Sequence, residues 1–409
     1  MKLALKQYDE SAEYLEKVHG TSNGWITKAE MNQFYKQWHY KYADLLKQEF
    51  VENNVYISLN TFYSTFRRLE YLKELKALFI DLDTYKTEFT KEQILMHLEA
   101  DYFNKSIPIP NFIVDSGRGI YLIWLINSVP SKALPLWKAV EEYLYKQLKE
   151  FGADRQALDP TRVLRIPGSI NSKTNTKVEI IEQHEYVYDL REIQNEFLPE
   201  LEERKAKKKG RPKKVNYIYR ERSLYYARIQ DIIKLCELRG YDLRGKREII
   251  LFLYRYWLCY FTEDTQKALQ DTLELNAEFI PSLSETEVIR ATRSAEKCYA
   301  DKNKEYKYRN ETLIDLLEIT DEEQIHMSTI ISNNEYKRRE NKRVKKAYQE
   351  KLKSDGKLTK KEQINIQRQK IKALLQQGFT QKDISKQLNI PSRTIERRVK
   401  ELRTLQEIV

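Results

Sequence analysis

Four short segments of the chain carry side chains that could do chemistry on phosphates. Together they supply three carboxylates and several groups suited to binding a triphosphate. Enzymes that transfer nucleotidyl groups hold two divalent metal ions roughly 3.5 to 4 Å apart, and Mg²⁺ or Mn²⁺ prefers carboxylate oxygens. The four segments therefore predict a metal-dependent nucleotidyl-transfer site. They are Ile80-Asp81-Leu82-Asp83, Ser116-Gly117-Arg118-Gly119, Asp159-Pro160 and Arg165-Ile166-Pro167-Gly168-Ser169.

The first segment ends an apolar run, Ala77 to Ile80, which predicts a buried strand. Side chains two positions apart on a strand share a face. We therefore expect Asp81 and Asp83 to face one pair of metal ions while Leu82 points into the core. The alternative is a strand end with two solvated aspartates.

The second segment predicts a tight turn between two strands, because Ile113-Val114 precedes it and an apolar run over 120–126 follows. Its two glycines let the backbone approach an oxyanion closely. Its serine and arginine offer a hydroxyl and a planar cation to phosphate oxygens. The alternative is a plain hairpin turn with a solvated arginine.

The last two segments add a third carboxylate, Asp159, followed at short intervals by Arg162, Arg165, Ser169 and Lys173. Several cations beside one carboxylate are expected where a triphosphate must be neutralised. A basic surface loop is the alternative.

In this order and spacing, the segments resemble the motifs of the archaeo-eukaryotic primase superfamily, and specifically the primase-like replication initiators of plasmids and mobile elements. With h for an apolar residue, the family pattern is h-D-h-D, S-G-x-G-x-H, h-D and R-h-P-G-S/T-x-N-x-K. The chain follows it at 80–83, 116–121, 158–159 and 165–173, with one departure at position 121. The resemblance covers roughly residues 50 to 185.

The resemblance implies an α+β, RRM-like primase-polymerase domain that uses Mg²⁺ or Mn²⁺ on Asp81, Asp83 and Asp159. Tyr121 departs from the pattern, since many members carry His there; tyrosine can donate a hydrogen bond but supplies no cation near neutral pH. The residues assigned to the incoming nucleoside triphosphate are Ser116, Gly117, Arg118, Gly119, Tyr121, Arg162, Arg165, Ser169 and Lys173.

The composition agrees with a nucleic-acid partner. Lys+Arg 72 against Asp+Glu 61 gives a net charge of +11, which favours phosphate backbones. The N-terminus lacks the apolar core of a signal peptide and no run of about 18 apolar residues occurs, so we expect a cytoplasmic protein with no membrane partner. The three cysteines and five histidines are too scattered for a zinc site or a disulfide framework. The histidine spacing also argues against a rolling-circle initiator.

Charge and periodicity divide the chain into five predicted segments. A stretch over 204–214 holds eight Lys/Arg in eleven positions and predicts a linker. Within it, Lys209 and Arg211 belong to a sequence that resembles an AT-hook, which lies in a narrow A·T minor groove; a flexible basic tether is the alternative. The segments are a primase/polymerase-like domain over 1–200, a basic linker over 201–222, an all-α accessory domain over 223–335, a charged helix or tether over 336–362 and a helix-turn-helix over 363–409.

The accessory segment has helical periodicity, with Leu238, Ile249, Leu253 and Trp257 as predicted core residues. Its Gly240 to Lys246 stretch fits most of a phosphate-binding P-loop. The Ser/Thr needed for Mg²⁺ is replaced by arginine, and a helical segment precedes it, so we exclude an ATPase.

The C-terminal segment predicts three helices, one ending at Gly378, one from Thr380 to Leu388 and one from Ser392 to Leu402. The arrangement is similar to helix-turn-helix domains of resolvases and invertases, whose last helix enters the major groove; a structural three-helix knob is the alternative. The predicted core is Ile371, Leu374, Phe379, Ile384, Leu388, Ile390, Ile395 and Val399, and the predicted DNA contacts are Ser392, Arg393, Thr394, Arg397 and Arg398.

These features predict a plasmid or mobile-element replication initiator with DNA-dependent nucleotidyltransferase activity. It would bind double-stranded origin DNA, synthesise a primer from nucleoside triphosphates on a single-stranded template, and hand over to a host or plasmid helicase and polymerase. Two alternatives stay open at this point. One is a catalytically inactive origin-binding protein that keeps the primase scaffold, and the other is a transcriptional regulator.

Overall fold

The computed structural model describes residues 10–198, 214–301, 306, 308–355 and 358–404, with the side chains of 214–222, 352, 353, 361 and 404 left aside. The chain is a mixed α+β protein that divides into two compact units, Met1–Ile330 and Ile331–Val409. The predicted AT-hook residues Lys209 and Arg211 lie outside the described residues.

The described part of the first unit contains eleven strands. They are β1 (Ile26–Met31), β2 (Tyr35–Tyr40), β3 (Val55–Ser58), β4 (Thr61–Phe62), β5 (Leu72–Leu82), β6 (Phe112–Asp115), β7 (Ile120–Pro130), β8 (Val163–Arg165), β9 (Ile170–Asn171), β10 (Thr176–Lys177) and β11 (Glu179–Gln183).

The α-helices of the same unit lie before, between and after these strands. They are α1 (Glu10–His19), α2 (Tyr42–Leu45), α3 (Lys91–His97), α4 (Leu134–Leu148), α5 (Leu190–Phe197), α6 (Lys214–Leu238), α7 (Arg247–Thr262), α8 (Thr265–Ala277), α9 (Glu285–Ala300), α10 (Asn310–Leu317) and α11 (Asp321–His326).

Two antiparallel sheets position the predicted site. One has the strand order β11-β6-β7-β5-β4 and the other β2-β1-β3-β8, with a small β10-β9 pair beside them. The predicted strand before Asp81 is confirmed as the last part of β5, and Ala77 to Ile80 are fully buried. A strand covered on both faces is apolar without alternation, which accounts for the uninterrupted run in the sequence.

Helix α4 covers the central strand β5. The Trp137 indole donates a hydrogen bond to the Ala77 carbonyl at 2.8 Å, and the Glu141 carboxylate accepts one from the Phe79 amide at 2.7 Å. These polar groups are buried, and a buried polar group is costly unless it is paired. The two bonds therefore fix the helix on the sheet at the strand that carries Asp81.

The helices α6 to α9 pack against this α/β part through a buried polar cluster. Arg68 is fully buried and its Nε lies 3.0 Å from Glu70 Oε1, while its Nη2 contacts Glu278. The Tyr254 hydroxyl donates to Glu70 at 3.0 Å. Removing one partner of such a cluster leaves a buried charge uncompensated, so the cluster holds the helices in one position over the sheets.

The helical part bears out only some of its predicted core residues. Leu253 and Trp257 are fully buried in α7, Ile249 in the same helix is only partly buried, and Leu238 is 40% exposed. It is the last residue of α6, and the chain turns away at Gly240 with a positive φ of 57°. The stretch from Gly240 to Lys246 joins two helices with no strand before it, which agrees with excluding a P-loop.

The second unit contains α12 (Asn333–Ser354), α13 (Lys360–Gln376), α14 (Gln381–Leu388) and α15 (Ser392–Thr404). The Thr380 side chain caps α14 by accepting a hydrogen bond from the Asp383 amide, as the sequence predicts. Phe379 is 42% exposed and is therefore not a core residue. The buried core is Ile371, Ile384, Ile395, Val399 and Leu402, with Leu374, Leu375, Leu388 and Ile390 partly buried against it.

Within the described ranges, the model contains no helix that has both the length and the apolar character needed to cross a bilayer.

Candidate active site

A cavity of about 820 Å³ in the first unit gathers most of the predicted site. Its walls include the end of β5, the turn before β7, the segment over 154–173, which contains β8, and helix α8. Of the twelve residues predicted as catalytic or nucleotide-binding, ten line it and two, Gly117 and Ser169, do not. The ten are Asp81, Asp83, Ser116, Arg118, Gly119, Tyr121, Asp159, Arg162, Arg165 and Lys173.

Asp81 and Tyr121 are direct neighbours across the sheet. They form a register pair between β5 and β7, and residues opposite each other in an antiparallel pair share a face. Tyr121, which departs from the predicted motif, is only 4% exposed. Burial raises the pKa of its hydroxyl, and the Asp81 charge raises it further. The hydroxyl therefore stays neutral and can serve as a hydrogen-bond donor in the cavity.

Burial raises the pKa of Asp81 to about 7, and the charges of Asp83 and Asp154 add to this effect while Arg162 opposes it. The Asp81 carboxylate makes no hydrogen bond to any residue that the structure describes. Asp83 lies just beyond the strand and accepts a hydrogen bond from Lys86 Nζ at 2.5 Å. The strand end thus holds Asp83, which is paired with Lys86, and Asp81, whose carboxylate would gain from a nearby cation.

Asp154 is a further carboxylate near this pair, and the sequence patterns missed it. Its amide donates to the Asp81 carbonyl at 2.8 Å, and its carboxylate lies 3.8 Å from Arg162 Nη2. The contact depends on an isolated bridge between Leu82 and Ala153. Nothing in the local pattern of these distant segments signals that they meet.

Asp159 has a different environment. Its carboxylate accepts hydrogen bonds from the Thr161 amide at 2.9 Å and from the Thr161 hydroxyl at 2.9 and 2.8 Å. Burial alone would raise its pKa, but the Lys267 charge and the Thr161 bonds outweigh that and hold the pKa below its ordinary value. Asp159 therefore stays ionised as part of a local polar network.

The donor chemistry at the strand end suits a hard divalent cation. Two carboxylates, Asp81 and Asp83, lie at the cavity wall, and Asp81 has no hydrogen-bonding partner among the residues that the structure describes. Among the residues that the structure describes, no three His, Cys, Asp or Glu side chains are close enough together to form a complete metal site. The predicted role of Asp159 as a third ligand accordingly stays a prediction.

The predicted glycine turn is confirmed between β6 and β7. A Cβ on Gly119 would lie 2.2 Å from the Leu82 carbonyl oxygen, so glycine is required where the turn crosses the end of β5. Gly117 has a φ of +93°. The Ser116 hydroxyl is used within the turn, where it donates to the Gly119 carbonyl at 3.0 Å and accepts from the Gly119 amide at 3.3 Å.

The basic segment is tied to this turn by Asn171. Its amide Nδ2 donates to the Ser116 carbonyl at 2.7 Å, and its Oδ1 accepts from the Lys173 amide at 3.0 Å. Ser169 is fully buried and its hydroxyl donates to the Ile166 carbonyl at 2.7 Å. Its hydroxyl thus supports the loop, whereas Arg165 and Lys173 reach the cavity.

The remaining residues of the cavity wall were not predicted by any local sequence motif. Arg67 lines the cavity and its Nη1 donates to the Thr161 carbonyl at 2.6 Å. Helix α8 contributes Gln266, Gln270 and Lys267, whose Nζ pairs with Asp271 Oδ1 at 2.7 Å. These groups are far from the motifs in sequence and are brought to the site by helix packing.

The predicted DNA contacts lie on α15 in the second unit. Ser392, Arg393 and Arg397 are exposed and Thr394 is partly exposed. Arg398 is only 6% exposed, and its Nη1 pairs with Glu401 Oε2 at 2.8 Å. This burial argues against Arg398 as a DNA contact. The residue lies on the same helix face as the core residue Leu402, where it supports the fold.

The chain is similar to a known protein over most of its length. No protein-family model matches it. Among solved structures it has a likeness to the AEP domain of the primase-polymerase of cyanophage S-2L, with a TM-score of 0.35, 16% identity, and 46% of this chain and 97% of that domain covered. A "Replication protein" of Clostridium perfringens is 65% identical over 387 residues, which is 94% of this chain and 95% of the relative. The chain therefore belongs to the family of replication proteins that includes this relative.

Proposed function

We propose that this replication protein is an initiator with a metal-dependent primase/polymerase site in the cavity and a DNA-binding helix-turn-helix in its second unit. The observation that carries the proposal is the meeting of Asp81 and Asp83 with four cationic side chains in one cavity. These cations are Arg118, Arg162, Arg165 and Lys173. Separated carboxylates and cations of this kind suit a triphosphate and its metal ions.

Asp81 and Asp83 would hold Mg²⁺ or Mn²⁺, and Asp159 is the proposed third ligand. When bound, the metal ions would activate the attacking 3′-oxygen and neutralise the triphosphate. The four cations would bind the phosphate oxygens and stabilise the charge that develops on the pyrophosphate. The neutral Tyr121 hydroxyl would donate a hydrogen bond to the same group. The proposed substrates are nucleoside triphosphates and a single-stranded DNA template.

Labelled-nucleotide incorporation on a single-stranded template, with Mg²⁺ and with Mn²⁺, tests the catalytic part. We expect extension by the wild-type chain and a loss of at least about 10³-fold in Asp81→Ala, because a carboxylate that binds the metal would be gone. Asp101→Ala is the matched control, since Asp101 is exposed and does not line the cavity. No extension by the wild type with either metal and any nucleotide, alongside intact DNA binding, would sink the catalytic proposal.

Intact DNA binding without any extension by the wild type would favour an origin-binding initiator without catalytic activity. The observation in its favour is Tyr121, which supplies no cation where many similar proteins carry His and is buried opposite Asp81.

The DNA-binding part is tested by a comparison of arginines on α15. We expect Arg393→Ala and Arg397→Ala each to weaken binding to origin DNA and to reduce the salt slope by about 1. Arg398→Ala is the contrasting variant, because its partner is Glu401; we expect it to lower the melting temperature of the protein. Unchanged DNA affinity in both exposed-arginine variants would contradict the assignment. Footprinting that shows protection at promoters but not at the origin would indicate a transcriptional regulator.

A further inference from the structure

The three residues directly after Asp83 contact two parts of the cavity wall, the carboxylate pair at the end of β5 and the glycine turn before β7. Thr84–Lys86 form a single 3₁₀ turn that begins at Asp83. No motif in the sequence points to this turn. We refer to it below as the Thr84–Lys86 turn.

The first contact joins a side chain of the turn to the backbone of Arg118. The Thr84 hydroxyl donates a hydrogen bond to the Arg118 carbonyl at 3.0 Å. Thr84 is buried and the bond is partly buried. It fixes the main chain of Arg118 beside the end of β5, where Gly119 already passes close to the Leu82 carbonyl.

The second contact restrains the Arg118 side chain. Its guanidinium carbon lies 3.9 Å from the centroid of the Tyr85 ring, which is a close cation–π distance. Tyr85 lines the cavity and is 50% exposed. A planar guanidinium stacked on an aromatic face keeps its edge donors free for phosphate oxygens.

The third contact involves the carboxylate pair. Lys86 Nζ donates to Asp83 Oδ2 at 2.5 Å and lies 5.6 Å from the centroid of the same Tyr85 ring. The ring therefore neighbours two cations, one beside the carboxylates and one beside the glycine turn. Arg118 lines the cavity that the triphosphate would occupy under the proposed function, and Lys86 pairs with Asp83, which lines it as well.

We propose that Tyr85 is a positioning residue that holds the Arg118 guanidinium ready for the triphosphate of the incoming nucleotide. This inference rests on the proposed function of the cavity. An unrestrained arginine loses rotamer freedom when it binds a ligand, and stacking on Tyr85 removes part of that loss beforehand. Tyr85 acts through Arg118 and does not take part in the chemical step.

The test measures KM for the nucleotide and kcat in the incorporation assay, together with equilibrium binding of a labelled nucleoside triphosphate. We expect Tyr85→Leu to raise KM and the dissociation constant roughly threefold to tenfold with kcat within about twofold, since the stack contributes to binding. Tyr85→Phe keeps the ring and should match the wild type. Tyr63→Leu is the matched control, because Tyr63 is 60% exposed, has Lys73 Nζ 6.0 Å from its ring centroid and lies outside the cavity.

The double variant Tyr85→Leu/Arg118→Ala separates positioning from other roles. If Tyr85 acts through Arg118, the double variant should equal Arg118→Ala alone. Additive effects, an unchanged Tyr85→Leu, or a Tyr85→Phe as impaired as Tyr85→Leu would each overturn the inference. A wild type that binds the triphosphate without incorporating it, with weaker binding in Tyr85→Leu, supports the inference while the catalytic proposal fails. A wild type that neither binds nor incorporates overturns both.

Discussion

Asp81 and Asp159 line the same cavity, but the protein holds them in opposite electrostatic states. Asp81 has no hydrogen-bonding partner among the described residues, and burial raises its pKa to about 7. Asp159 accepts hydrogen bonds from the Thr161 amide and from the Thr161 hydroxyl, which lies near both carboxylate oxygens; Lys267 is nearby, and the pKa of Asp159 lies below the ordinary value. The difference teaches that the strand end is prepared for an added cation, whereas the Asp159 side is already neutralised by the protein.

The largest effect is expected for the stability of Asp81→Asn, measured in the absence of divalent metal ions. The pKa of Asp81 is higher in the folded protein than in the unfolded chain. Its favourable contribution to the free energy of unfolding is therefore complete below the pKa of the unfolded chain and is lost as the pH rises through about 7. We therefore expect Asp81→Asn to be more stable than the wild type at pH 8, by on the order of 3 kcal/mol, and equal to it at pH 3. Urea unfolding in EDTA at both pH values measures the difference. A destabilised Asp81→Asn at pH 8 would break the comparison, and Asp101→Asn should show no difference.

Asp159→Asn should change the stability of the protein in the opposite direction. The pKa of Asp159 is lower in the folded protein than in the unfolded chain. Its contribution to the free energy of unfolding is therefore present above the pKa of the unfolded chain and is lost as the pH falls through the pKa of the folded protein. We expect a loss of about 2 kcal/mol at pH 8, since hydrogen bonds to a charged group are replaced by neutral ones. The same unfolding series should show the loss shrinking in acid. A variant as stable as the wild type at pH 8 would mean that the Asp159 carboxylate is not engaged as described.

The smallest effect is expected for Thr161→Val, which removes the hydroxyl but keeps the amide that bonds Asp159. Thr161 is buried, and a hydroxyl bond to a carboxylate contributes about 1 kcal/mol or somewhat more. We expect a loss of about that size at pH 8 that declines toward pH 3. Thr272→Val is the matched control, because its buried hydroxyl bonds the neutral Ala268 carbonyl at 2.6 Å and its loss should not vary with pH.

Periodicity and spacing predicted the local elements that carry the motifs. The strand ending at Asp81, the glycine turn after β6 and the Thr380 cap of α14 all follow from apolar runs, glycines and capping residues that act over a few positions. The errors lie where burial depends on distant packing. Leu238 and Phe379 have the right residue type for a core but sit at helix ends where the chain turns outward.

The sequence by itself determined which motifs the site contains, because each motif is a short run whose residue types set its local backbone and its charge. Only the tertiary structure decided how the motifs are used. Packing of distant segments placed Tyr121 opposite Asp81, brought Asp154 to the strand end and Arg118 to the Tyr85 ring, and placed Lys267 near Asp159. Local patterns carry no record of these contacts, because in each of them the two residues are far apart in the chain.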